Sequence, residues 1–210
     1  MNIKSEIKEA FVQNKKIFKI LIVLFVIGFI IGCVFSKDFA SIIMPMLKQA
    51  IANDDGVISI EALDIIIHNV SSTLLVFIGS ILFGIYALFS ITINGFAIGF
   101  MAGYTINSVP SLLLYLALIV PHGILEIPAF FCGDASGVIL FLFIYRVIKD
   151  KMNKNTFKEG YENNKETLKH AIILLSISIV LFVIAGLIEG YITPLVGNFV
   201  SQQVNGTPLF

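Results

Sequence analysis

Apolar positions fall into long runs, and charged positions gather between them. Ile20 to Phe35 carries no charge and is long enough to cross a bilayer if Lys19 extends its amine to the interface. From Ile65 to Leu125 there is no Lys, Arg, Asp or Glu, and Ala171 to Ile188 is the last apolar run. This pattern predicts five membrane-spanning helices at about 18–36, 66–92, 95–119, 121–147 and 170–190. Pro110, Pro121 and Pro128 interrupt the helical pattern of the middle runs. One full crossing with a re-entrant hairpin would give the same parity as three crossings there. The expected fold is therefore all-α: one integral membrane domain over 1–210, with broken or re-entrant helices between 94 and 137.

Composition supports lipid as the solvent. Apolar residues make up 57% of the chain and charged residues 13%, against about 45–50% and about 25% in soluble domains. The net charge is zero, so no bulk electrostatic term points to nucleic acid. Cys33 and Cys132 both sit in apolar runs and suggest neither a disulfide scaffold nor a thiolate cluster.

Charge sets the orientation. Twelve of the fourteen Lys and Arg lie in residues 1–19 and 146–169, which places both segments on the cytoplasmic side. Residues 37–64 carry Asp38, Asp54, Asp55, Glu61 and Asp64 against Lys37 and Lys48, and the tail after Glu189 is uncharged. These are expected outside. The reading is a plasma-membrane protein with its N-terminus in and its C-terminus out. Ile30-Ile31-Gly32-Cys33 loosely matches a lipoprotein cleavage box, but its upstream positions fit poorly and a retained first helix is expected. Residues 38–52 read either as a helix along the outer interface or as a packed loop. Residues 147–169 read as a solvated connector, although their basic charge also suits anionic lipid or a partner. Asn69-Val70-Ser71 and Asn205-Gly206-Thr207 fit the glycosylation pattern.

Five glycine pairs at a spacing of four, Gly28/Gly32, Gly95/Gly99, Gly99/Gly103, Gly133/Gly137 and Gly186/Gly190, point to close helix contacts. A compact bundle is the expected consequence; a path lined by the same glycines is the alternative. Asn94-Gly95 reads as a turn between spans or as a break buried in protein.

The candidate chemistry lies in Pro121-His122-Gly123-Ile124-Leu125-Glu126 and in Cys132-Gly133-Asp134-Ala135-Ser136-Gly137. On a helix, His122 and Glu126 share a face. Ionised carboxylates at Glu126 and Asp134 are costly in lipid, and each needs a proton or a partner. Glu189 closes the last span. Three readings compete. In the first, His122, Glu126 and Asn94 fasten broken helices together. In the second, His122, Glu126 and Asp134 form a proton or cation path. The third is a metal site, for which His122 and Glu126 supply only two ligands and Asp134, His68 or Glu189 would have to supply a third. Two ligands make no site, so no metal and no cofactor are expected. Gly133-Asp134 lacks the second aspartate of an intramembrane protease, and no nucleophile elbow, phosphate loop or dinucleotide fingerprint is present. No enzymatic activity is expected.

Asn94-Gly95, Pro121-His122-Gly123-x-x-Glu126 and Glu189-Gly190-Tyr191-Ile192-Thr193-Pro194 together resemble the stage II sporulation protein M family. The resemblance implies a polytopic membrane protein without catalytic machinery. It also implies a role similar to the membrane anchor that holds cell-wall-degrading partners during engulfment in spore formers. Relatives also occur in organisms that make no spores. The family pattern falls on Asn94, Gly95, Pro121, His122, Gly123, Glu126, Glu189, Thr193 and Pro194, and carries position without mechanism. A scaffold or assembly factor is expected, with lipids and other membrane or envelope proteins as partners, no nucleic acid, and room for a homo-oligomer. A small transporter or channel is the alternative.

Overall fold

The computed structural model describes residues 3–51, 62–82, 84–153 and 156–206. Among them are eight helices and no strand: α1 (Ile3–Gln13), α2 (Lys15–Val34), α3 (Ser36–Ile51), α4 (Ala62–Gly79), α5 (Ile85–Thr105), α6 (Val109–Met152), α7 (Phe157–Tyr191) and α8 (Thr193–Asn205). Five of these, α2, α4, α5, α6 and α7, are long and apolar enough to cross a membrane.

The helix ends follow local chemistry. At the α1–α2 joint the Asn14 amide donates to the Ala10 carbonyl at 2.8 Å, competing with the helical ladder. The turn after α4 ends at Gly84, whose φ of +65° strains any side chain. Ser108 caps α6, accepting from the Ser111 N–H, while the Ser111 hydroxyl accepts from the Ser108 N–H and Pro110 occupies the first turn. Thr156 and Glu159 repeat the capping box at the start of α7.

One break, at 106–108, falls within the expected 94–137 region, but not at the residues expected to make it. Asn94-Gly95 lies inside α5, and the chain turns instead at 80–82 and at 106–108. Pro121 and Pro128 lie inside the 44-residue α6. The physical reason is shared: lipid offers no water to a freed backbone group, so the helix is kept even through residues that punctuate soluble proteins. Residues 38–51 are helical rather than a loop, and Phe39 meets Phe96 of α5 edge-on at 5.8 Å. Residues 147–169 are mostly continuations of α6 and α7, not an irregular connector. Asp54, Asp55, Glu61 and the sequon threonine Thr207 lie outside the described residues.

Packing runs through the glycines. A Cβ at Gly95, Gly99 or Gly103 would strike the backbone carbonyl of Phe25, Phe29 or Cys33, and one at Gly28 or Gly32 would strike that of Thr92 or Phe96. The two residue series rise together, so α2 and α5 are parallel and touch backbone to backbone. Ala62 meets Gly190 and Ile66 meets Gly186, which makes α4 and α7 antiparallel. Gly133 meets Thr73 and Ser178, and Gly137 meets Ser80, which draws α4 and α7 against α6. Small side chains make up much of the interior, with Ala87, Ala129, Ala135 and Ala171 fully buried beside Leu21, Ile91 and Phe182, while Val23, Ile30, Leu75, Ile78 and Val180 face outward. That inversion suits lipid, where burying a large apolar side chain gains little and close approach gains dispersion.

The packing also assigns the ends of the bundle. Lys169 of α7 pairs with Glu6 of α1, so the two lysine-rich segments meet at one end. Ala62 and Gly190 mark the other end, where α8 begins.

Gly99→Ala should push α2 from α5 and lower stability by about 1–3 kcal/mol. Gly123, whose added Cβ would meet only Ile119 Cγ2 at 3.5 Å, should accept Ala without loss or gain up to about 1 kcal/mol. Thermal unfolding in detergent compares the two, and an equal response would contradict the packing.

Candidate functional site

The polar face of α6 is built from one turn of helix. His122 and Glu126, four residues apart, both point inward, with His122 buried and Glu126 half-buried. Asn69 of α4 donates its amide to Glu126 Oε1 at 3.0 Å. Glu126 Oε2 lies 3.7 Å from His122 Nε2, close for an ion pair and long for a hydrogen bond. On the other side of the ring, His122 Nδ1 lies 3.2 Å from Thr193 Oγ1 of α8. The Thr193 hydroxyl in turn donates to the Ile188 carbonyl at 3.3 Å, behind the end of α7. Glu189 completes the group: one ligand atom from each of His122, Glu126 and Glu189 lies within 4.8 Å of the others. Four helices, α4, α6, α7 and α8, are thus joined by side chains at one level of the bundle.

Asp134 and Asn94 belong to a different place. Asp134 lies two turns further along α6 and is 3% exposed. Its Oδ2 is buried and has no partner among the described residues. Asp134 lines a cavity of about 260 Å³ with Asn94, Ser90, Thr73, Ser72 and Asn69. Asn94 therefore faces this cavity rather than Glu126. Nearby, the Ser178 hydroxyl donates to the Ala129 carbonyl at 2.8 Å, tying α7 to α6.

Of the residues singled out in the sequence, His122, Glu126, Glu189 and Thr193 converge. Gly95 serves the contact with α2, and Pro194 sits in the first turn of α8. Pro121 and Gly123 shape α6 beside the site without touching it through hydrogen bonds. Asn69, the direct partner of Glu126, was missed as a site residue. Its signal was a polar amide in the middle of an apolar run, which the glycosylation pattern obscured.

Fold and site together define a multi-pass helical membrane protein whose interior carries a histidine–carboxylate clasp. The chain belongs to the stage II sporulation protein M family, whose profile matches residues 21–194, from α2 through Pro194. Two uncharacterized proteins of Methanocaldococcus jannaschii are similar to it. One is 33% identical over 178 residues, covering 85% of this chain and 94% of the relative. The other is 26% identical over 194 residues, covering 90% and 86%. No solved structure matches the chain.

Asn69→Leu removes the donor from a half-buried carboxylate and should cost about 1–3 kcal/mol. Glu126→Gln keeps an acceptor for Asn69 and should cost less. Chemical or thermal unfolding of the two variants checks the order, and a reversed order would contradict the Asn69–Glu126 assignment.

Proposed function

We propose that this protein is a non-enzymatic scaffold or assembly factor of the cytoplasmic membrane, with its N-terminus inside and its C-terminus outside. The observation that carries the reading is that two intramembrane site residues are tied to other helices. Glu126 is held by Asn69, and His122 is held by Thr193, across helix boundaries. Such a network fixes helix positions.

A scaffold also needs a rigid feature outside the lipid. Helix α6, at 44 residues, is roughly 66 Å long, about twice the hydrocarbon thickness. The 35-residue α7 also exceeds a single crossing. At the lysine-rich end the two form a helical hairpin with its own polar cross-links. Arg146 donates to Thr167 at 3.0 Å, Asn164 donates to Asp150 at 3.0 Å, and Lys151 lies 4.4 Å from the centre of the Phe157 ring. With α1 secured by the Glu6–Lys169 pair, this end offers a pre-shaped basic surface for membrane or envelope proteins.

The test combines two measurements on full-length protein. Photo-crosslinkers at Lys158 and Glu162 in native membranes should give discrete adducts, unchanged in Glu126→Gln. Liposomes holding the purified protein should show no proton or cation flux above protein-free vesicles. Flux that is present in the wild type and lost in Glu126→Gln would overturn the scaffold in favour of a transporter.

A further inference from the structure

We infer that His122, Glu126 and Glu189 form a binding site for a divalent transition-metal ion that clasps α6 to the end of α7. The inference stands on the geometry of the site and holds whether or not a partner docks on the hairpin.

Hydrogen-bond direction is the first argument. The Ile188 carbonyl can only accept, and the inference assigns it the single Thr193 hydroxyl hydrogen. Thr193 Oγ1 then accepts from His122, which puts the ring proton on Nδ1. In the neutral imidazole this leaves Nε2 with a lone pair, and that lone pair faces Glu126 Oε2 at 3.7 Å. Two acceptors facing each other need a proton or a metal ion between them. Thr193 is also the kind of outer partner that fixes a metal-binding imidazole, by holding the nitrogen that does not bind.

Charge is the second argument. Two carboxylates converge here, yet no Lys or Arg occurs between Lys48 and Arg146. Among the described residues, no Lys or Arg pairs with Glu126 or Glu189. Asn69 occupies only Oε1 of Glu126, and among the described residues no donor reaches Glu189. A divalent ion neutralises both carboxylates at once; without it, two protons are needed to make the group electroneutral in lipid.

Ligand type and spacing agree. One imidazole nitrogen and two carboxylate oxygens suit Zn²⁺ and its first-row neighbours. The donor atoms lie within 4.8 Å of one another, whereas donors on a tetrahedral zinc ion sit roughly 3.4 Å apart. Small χ rotations of the two glutamates close that difference. Three protein ligands leave a further position for water or another donor.

The experiment uses full-length protein purified in detergent, stripped with chelator, then titrated with Zn²⁺ alone and followed by metal analysis and thermal unfolding. The wild type should bind one zinc per chain and unfold several degrees higher with it. Glu189→Gln and His122→Ala should lose both the bound zinc and the thermal shift. Thr193→Val, which leaves all three ligands, should weaken zinc affinity about 10- to 100-fold. His68 and His170 remain in every variant, so adventitious binding at those histidines persists unchanged. Zinc content and thermal shift equal in wild type, Glu189→Gln and His122→Ala would overturn the site. So would a wild type that binds none, in which case protons neutralise the group. If His122→Ala fails to give monodisperse protein, the nearly isosteric Glu189→Gln carries the decision.

Discussion

In lipid an apolar side chain gains almost nothing by moving from the surface to the interior, so this bundle depends on places where helix backbones touch. The contact between α2 and α5 is the clearest. Five glycines there face carbonyl oxygens of the opposing helix, and none has space for a methyl group. The same logic recurs where Gly186 and Gly190 admit Ile66 and Ala62. Large apolar residues are then free to face outward, which explains an interior rich in alanine, serine and glycine.

Close packing creates a second requirement. Once small residues bring helices together, any polar group between them must find its partner in protein. The clasp of Asn69, Glu126, His122 and Thr193 meets that requirement in part, across α4, α6 and α8. Asp134 does not meet it, since its buried Oδ2 has no partner among the described residues. Packing thus separates two polar groups that share one helix and lie only eight residues apart in sequence.

Much of the bundle was legible before any coordinates. An acidic 37–64 segment outside and a basic 146–169 segment inside require an odd number of crossings between them, and five helices of sufficient length are present, three of them between those segments. The glycine spacing located the tight contacts. Turn positions are less legible, because Asn94-Gly95 signals a turn only by rules that hold in water. The turn that follows α4 is marked only by Gly79, Ser80 and Gly84, and the one at 106–108 by a cap ahead of Pro110. His122 and Glu126 were legible as neighbours through helical spacing. Asn69, 57 residues from its partner Glu126, depends on the register of α4 against α6, which no local pattern encodes.

The central claim is that the polar residues of the core act on one another as a clasp between helices. The most direct test is a double-mutant cycle on Asn69 and Glu126, replacing each with Ala alone and together, and measuring unfolding free energy in the same detergent. A bonded pair within a membrane bundle predicts a coupling of about 0.6–1.7 kcal/mol. Effects that add to within about 0.3 kcal/mol would contradict the clasp, because independent sites add and partners do not.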